Sequence, residues 1–172
     1  EILEQIPVQP DLNCLIVGAG RLGQLIAQVF RTTGCSLRVV ARHPYQRTLL
    51  ERLHIPWISE EEVEAGTMDV VIEATGTPQG FQLARKSVRP RGTLVLKSTY
   101  HGDLTVNMSG LVVDEITLVG SRCGPFPRAI QALSSGEICT QGMIQASFPL
   151  QEGAQALEFA AQPGVMKVLI NP

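Results

Sequence analysis

Residues 13–29 read NCLIVGAGRLGQLIAQV, and this stretch decides the fold. Its first part, residues 14–17, is wholly apolar, which is typical of a parallel strand that is buried on both faces. Gly18, Gly20 and Gly23 follow with the spacing G-x-G-x-x-G. Apolar residues then recur at helical spacing: Leu22, Leu25, Ile26 and Val29. The stretch therefore predicts a buried strand, a glycine turn and an amphipathic helix, in that order.

Each glycine of this motif has its own physical role in binding a dinucleotide. Gly18 permits the tight turn out of the strand, and Gly20 lets a pyrophosphate approach the backbone. Gly23 lets the helix pack closely on the strand. Unpaired N–H groups and the dipole at the helix start favour the phosphate charge beside Gly20, Arg21 and Leu22. Arg21 either adds a charge-assisted contact or is a surface arginine, and the alternative for the whole motif is a turn without a ligand.

Strands and helices alternate along most of the chain. Further strands are predicted at residues 37–41, 56–58, 69–74, 93–97 and 115–119, and helices at 45–53, 81–88 and 127–133, with an acidic helix start after Ser59. This alternation predicts an α/β fold, a doubly wound (Rossmann) parallel sheet of about six strands with helices on both faces. We assign residues 1–142 to this dinucleotide-binding domain. Residues 143–172 are expected to form a C-terminal strand-helix-strand segment that packs against another part of the full protein.

Composition excludes several classes of protein. The 172 residues carry a net charge of −2, which argues against nucleic acid or an anionic membrane as a partner. No apolar run approaches the roughly 20 residues that span a bilayer. The four cysteines and three histidines lack the spacing of a zinc site. With no signal-peptide pattern, we expect reduced thiols and a cytoplasmic location.

Four segments together resemble the coenzyme-binding part of the zinc-type medium-chain alcohol dehydrogenases. They are IPVQPDLNCLIVGAGRLG (6–23), DVVIEATG (69–76), ITLVGSRCG (116–124) and FPLQEGAQALEFAAQPGVMKVLI (148–170). The resemblance implies hydride transfer between an alcohol or carbonyl substrate and a nicotinamide cofactor, with a catalytic zinc in an N-terminal domain that these residues do not include. Because the chain begins at Glu1 without a methionine, we expect a piece of a longer enzyme that binds cofactor but cannot catalyse alone.

The end of the second strand bears on the choice between NAD and NADP. NAD-binding folds place a carboxylate about 20 residues after the glycine motif, where it binds the ribose 2′-hydroxyl. Here the strand ends in Ala41, Arg42 and His43, without a carboxylate. An arginine fork suits a 2′-phosphate, and Arg47 lies about one helical turn further on. The sequence therefore favours NADP, although an Arg42 that stacks on the adenine would suit either cofactor.

Thr75 and Gly76 follow the fourth strand at the edge of the sheet where such ligands bind. The resemblance places them beside the adenosine and its ribose. Glu73, just before them, is a carboxylate inside an apolar strand, which is costly unless it is paired. We interpret Glu73 as a hydrogen-bonded structural group and not as a catalytic base.

Other cofactor contacts follow the later strands. Lys97 and Ser98 come after the fifth strand and are expected near the nicotinamide, although Lys97 could simply be solvated. By resemblance, Arg122 lies beside the nicotinamide carboxamide and Lys167 reaches the pyrophosphate.

Two other functions and one assembly remain open. The chain could belong to the zinc-independent, quinone-reductase branch of the same family, which only the missing segment would distinguish. It could also be a stand-alone module that senses NADP(H), which the missing start methionine argues against. Residues 113–119 are further expected to form an edge strand that pairs across a homodimer, since an exposed edge is a liability.

Overall fold

The computed structural model describes residues 1–100 and 102–172. Its main sheet has six parallel strands in the order β3-β2-β1-β4-β5-β6. The strands are β1 (Asn13–Val17), β2 (Ser36–Val40), β3 (Trp57–Ile58), β4 (Met68–Glu73), β5 (Val88–Leu96) and β6 (Thr117–Gly120). The helices are α1 (Ile2–Gln5), α2 (Arg21–Arg31), α3 (Pro44–Arg52), α4 (Pro78–Ser87), α5 (Met108–Val113) and α6 (Phe126–Ser134). The predicted doubly wound parallel sheet is confirmed.

The sheet separates two apolar cores because successive side chains of a strand point to opposite faces. In β1, Cys14 and Ile16 pack into one core together with Phe30 of α2. Leu15 and Val17 of β1 face the other core, which contains Phe81 of α4. Strand β1 is thus buried on both faces, as its uninterrupted apolar sequence predicts.

One local prediction is confirmed and another is wrong. The acidic segment after Ser59 begins a helix, which is a single 3-10 turn at Glu60–Glu62. Residues 113–119 are not one continuous edge strand, since Val113 ends helix α5 and the strand is limited to Thr117–Gly120. Asn107 begins α5 because its side chain accepts a hydrogen bond from the backbone N–H of Gly110.

The C-terminal segment forms a separate two-stranded parallel sheet. It comprises β7 (Ile144–Pro149), a 3-10 turn at Leu150–Glu152, α7 (Gly153–Ala160) and β8 (Lys167–Asn171). Met143 and Met166 pack against Leu49 of α3, and the hydroxyl of Tyr45 donates to the carbonyl of Gly142 at 2.7 Å. The segment therefore lies against α3, while the division of the chain at residue 142 stays a prediction.

No helix in residues 1–100 or 102–172 has both the length and the apolar character that crossing a membrane requires.

Candidate cofactor-binding site

A cleft of about 260 Å³ opens where strands β1, β2 and β4 end. Strand β1 pairs with β2 on one side and with β4 on the other, so the strand order reverses at this point of the sheet. Ligands of open α/β sheets bind at such a switch point, outside the carboxyl ends of the strands. Five of the predicted site residues line the cleft: Gly18, Gly20, Arg42, His43 and Thr75.

The glycine turn at the floor of the cleft has the geometry that its sequence predicts. Gly18 has a φ of +108°, which residues with a side chain rarely adopt. A Cβ on Gly23 would lie 1.9 Å from the carbonyl oxygen of Gly18, so α2 is packed against the turn as closely as a glycine allows. A Cβ on Gly20 would meet no atom within 4 Å. Gly20 therefore leaves open space above the start of an eleven-residue helix, which suits a pyrophosphate.

Thr75 forms the opposite wall of the cleft. Its methyl group lies 2.9 Å from the position that a Cβ on Gly18 would take. Its hydroxyl oxygen lies 1.9 Å from the position that a Cβ on Gly80 would take. Both glycines are thus needed to make room for Thr75. The hydroxyl of Thr77 accepts the N–H of Gly80 and caps α4. The turn between β4 and α4 is consequently held against the glycine turn after β1.

Glu73, the last residue of β4, stabilises the same turn through hydrogen bonds. Its side chain is fully buried, and one carboxylate oxygen accepts the Thr75 N–H at 2.6 Å, the Thr75 hydroxyl at 2.5 Å and the Gly76 N–H at 3.1 Å. The other oxygen accepts the hydroxyl of Tyr100 at 2.6 Å. Burial, together with this bond to Glu73, raises the pKa of Tyr100. The interpretation of Glu73 as a hydrogen-bonded group is confirmed.

Arg42 has a partner that the sequence analysis missed. Its Nε and Nη2 atoms donate to one oxygen of Glu60, at 3.0 and 2.5 Å. Both side chains are exposed, by 67% and 41%. Val40 pairs with Ile58 across β2 and β3, so the residues two positions beyond each strand end, Arg42 and Glu60, meet. The sequence contains this equal offset of two residues, but the offset predicts the ion pair only once β2 and β3 are known to be parallel neighbours.

The residues around Arg42 have structural partners. The Nε of Arg47 donates to the carbonyl of Ala41 at 2.9 Å, and its guanidinium lies 4.5 Å from the ring centre of Trp57. Arg47 thus fixes the end of β2 and does not line the cleft. His43 begins α3, where its N–H donates to the side chain of Gln46 at 3.3 Å, and it does line the cleft.

The remaining predicted residues lie elsewhere. Arg21 and Leu22 are exposed in the first turn of α2, and Lys167 is exposed on β8. Ser98 packs beside Gly76, whose φ is +70°. The amino group of Lys97 is not simply solvated, because it donates to Ser121 at 3.3 Å and to the carbonyl of the exposed Arg122. Burial lowers the pKa of Lys97.

The described residues do not provide a zinc site. Across residues 1–100 and 102–172, no group of three histidine, cysteine, aspartate or glutamate side chains is placed to hold a metal ion. The glycine turn and the cleft, by contrast, fit a nicotinamide dinucleotide, because Gly20 leaves room for a pyrophosphate.

Comparison with known families matches residues 22–135 to the model of the zinc-binding dehydrogenases. The chain belongs to the zinc-binding dehydrogenase family. The match covers about two thirds of the chain and includes α2, α4 and the main-sheet strands from β2 to β6.

Among the curated relatives of the chain, D-arabinitol dehydrogenase 1 from Uromyces fabae is 29% identical over 99% of the chain and 54% of its own length. The chain therefore spans about half the length of the curated relatives it matches.

Solved structures confirm the fold of the chain. A protein from Sinorhizobium meliloti 1021, assigned to the zinc-binding dehydrogenases and bound to NADP, superimposes with a TM-score of 0.86 at 23% identity, over 99% of this chain and 55% of its own. A short chain alcohol dehydrogenase from E. coli CFT073, complexed with NADH, superimposes with a TM-score of 0.82 at 22% identity, over 99% and 55%.

Proposed function

We propose that this chain is the cofactor domain of an oxidoreductase that transfers hydride between an alcohol or carbonyl substrate and a nicotinamide cofactor, with NADP favoured over NAD. The observation that carries the proposal is the open space over Gly20, at the bottom of a cleft lined by Arg42 and Thr75. Solved relatives bound to NADP and to NADH support it, as does the D-arabinitol dehydrogenase relative.

Each wall of the cleft has a distinct task in this proposal. The backbone at Gly20 and the first N–H groups of α2 bind the pyrophosphate, because the positive end of the helix dipole lies there. Arg42 donates its guanidinium N–H groups to the 2′-phosphate. Thr75 and Gly76, held by Glu73, border the adenosine ribose. The bound cofactor supplies or accepts the hydride.

The nicotinamide end of the cofactor is expected to lie near Lys97, Ser98 and Arg122, where β5 and β6 end. These residues lie outside the cleft at Gly20, and Lys97 lines a separate groove of about 770 Å³ beside α6. We propose that the zinc of this family is held outside the chain, since the described residues provide no site for it.

The proposal is tested by calorimetric titration of the purified protein with NADPH and NADH. We expect both to bind, NADPH more tightly. Arg42→Gln should cost about 1.5–3 kcal/mol with NADPH, about ten- to a hundredfold in affinity, and little with NADH. Arg47→Gln is the matched control, because Arg47 carries the same charge but faces Trp57. A protein that binds neither dinucleotide would contradict the proposed function, and an Arg42 variant with unchanged selectivity would contradict the NADP preference.

We further propose a homodimer that pairs the exposed edge of β6. Strand β6 is the last strand of the sheet, and Leu118 on it is 44% exposed. Edges of this kind pair with another chain when nothing covers them. Light scattering after size-exclusion chromatography should give the mass of a dimer, and Leu118→Lys should give a monomer. A monomeric wild-type protein at high concentration would count against the dimer.

We also propose a cytoplasmic location, which is supported by four cysteines that are all free thiols in the described structure.

A further inference from the structure

We propose that Glu60 is a specificity-determining residue that sets how the protein chooses between NAD and NADP. The inference rests on the proposed function and concerns the adenosine end of the same cleft. In the free protein Glu60 pairs with Arg42. With NAD it accepts the ribose 2′-hydroxyl, and with NADP it competes with the 2′-phosphate for Arg42.

The fold places Glu60 at this point and holds it there. The register of Val40 against Ile58 brings the segment after β3 beside the segment after β2. The 3-10 turn is fixed by its own cap, in which the N–H of Ser59 donates to the side chain of Glu62 at 2.7 Å. Glu60 is the first residue of that turn and lines the cleft. The carboxylate of Glu60 thus lies at the end of the second strand, whose own residues include no carboxylate there.

The hydrogen bonds of Glu60 leave one oxygen available for a ligand. The Nε and Nη2 atoms of Arg42 both donate to the same oxygen of Glu60, Oε1. No donor among the described residues reaches the other oxygen, Oε2, within hydrogen-bonding distance. A ribose hydroxyl that binds Oε2 makes a charge-assisted hydrogen bond without disturbing the ion pair. This is the contact that a carboxylate at the end of the second strand makes in NAD-binding folds.

A 2′-phosphate meets the opposite situation. Arg42 is the one arginine that lines the cleft in the described part of the chain, because Arg47 is bound to Ala41 and stacked on Trp57. The phosphate must therefore share or take the guanidinium that Glu60 binds, and it must tolerate a carboxylate beside it. An ion pair as exposed as this one is weak, so the exchange can occur. The carboxylate nonetheless lowers the affinity for NADP and raises it for NAD.

The decisive experiment compares Glu60→Gln with Glu61→Gln. Both variants remove one negative charge from the same exposed turn, but Glu61 does not line the cleft or contact Arg42. Dissociation constants for NADPH and NADH are measured by calorimetry on each purified protein. Circular dichroism checks that the variants are folded.

We expect Glu60→Gln to bind NADPH about three- to tenfold more tightly and NADH about three- to tenfold more weakly. The ratio of the two constants should then move by about tenfold or more. Glu61→Gln should change this ratio by less than about threefold, which corresponds to screened surface charge alone.

The outcomes separate this inference from the proposed function. If the wild-type protein binds both cofactors and the ratio is the same in the two variants, Glu60 has no role in specificity and only this inference fails. If the wild-type protein binds neither cofactor, the proposed function fails and the inference fails with it.

Discussion

Substituting two glycines of one motif by alanine should separate folding from cofactor binding. Gly23→Ala places a methyl group 1.9 Å from the carbonyl oxygen of Gly18, well inside an ordinary contact of about 3.5 Å. Since that oxygen is part of the backbone, either α2 or the glycine turn must move, at a cost of about 3 kcal/mol. The higher helix propensity of alanine returns about 1 kcal/mol. The net loss of about 2 kcal/mol lowers the melting temperature by about 4–8 °C.

Gly20→Ala should have the opposite profile. The backbone at Gly20 has a φ of −69° and a ψ of −173°, which alanine adopts freely, and the added methyl group meets no atom within 4 Å. Only the weaker capping by alanine matters, and it changes the unfolding free energy by about 1 kcal/mol or less. The methyl group occupies the space over the start of the helix, so the affinity for NADPH should fall by at least about tenfold, or 1.4 kcal/mol.

Thermal melts by circular dichroism and calorimetric titration with NADPH measure the two effects on the same samples. A Gly20→Ala protein that binds NADPH as the wild type does would show that the pyrophosphate does not lie over this residue. A Gly23→Ala protein with the wild-type melting temperature would refute the packing argument.

Three further predictions concern stability. Glu73→Ala removes the buried carboxylate that accepts two N–H groups and two hydroxyls of partly buried bonds, and urea unfolding should show a loss of about 3–5 kcal/mol; a loss under about 1 kcal/mol would contradict this network. The raised pKa of Tyr100 means that its contribution is complete below about pH 10, the unfolded value, and is lost as the pH rises towards the folded value. The unfolding free energy of the wild type should therefore fall more steeply above about pH 10 than that of Tyr100→Phe; parallel curves would refute the assignment. Val113→Thr should change the unfolding free energy by less than about 0.5 kcal/mol, since Val113 is 79% exposed at the end of α5, and a larger loss by urea unfolding would show that this side chain is covered.

The sequence predicts the central part of the fold well because β1 carries an apolar run at residues 14–17 and β4 a shorter one at residues 70–72. Such runs indicate strands that are buried on both faces, and the glycine spacing predicts the turn and the helix after β1. The ends of the elements near α5 are less predictable. The apolar residues Val112 and Val113 suit a strand by type, but the side-chain cap of Asn107 starts a helix that includes them.

The candidate site is only partly readable from the sequence. Gly18 and Gly20 are recognised by their spacing along the chain, and Arg42 by its place after a strand. The pairing of Arg42 with Glu60 depends on the lateral order of β2 and β3, which local patterns do not contain. The orientation of Arg47 likewise depends on Trp57, a neighbour from another strand.

The strand order also constrains how the chain folds during synthesis. Strands β1 to β3 are complete by Ile58, but one edge of β1 has no partner until β4 (Met68–Glu73) has been made. During that interval one edge of the apolar strand β1 is unpaired, which favours misassociation of the nascent chain. When β4 docks, Thr75 arrives beside Gly18, so the walls of the cleft form in the same step that closes this edge. Substitutions that slow the docking of β4 should therefore reduce the yield of folded protein more than they reduce the stability of the molecules that do fold.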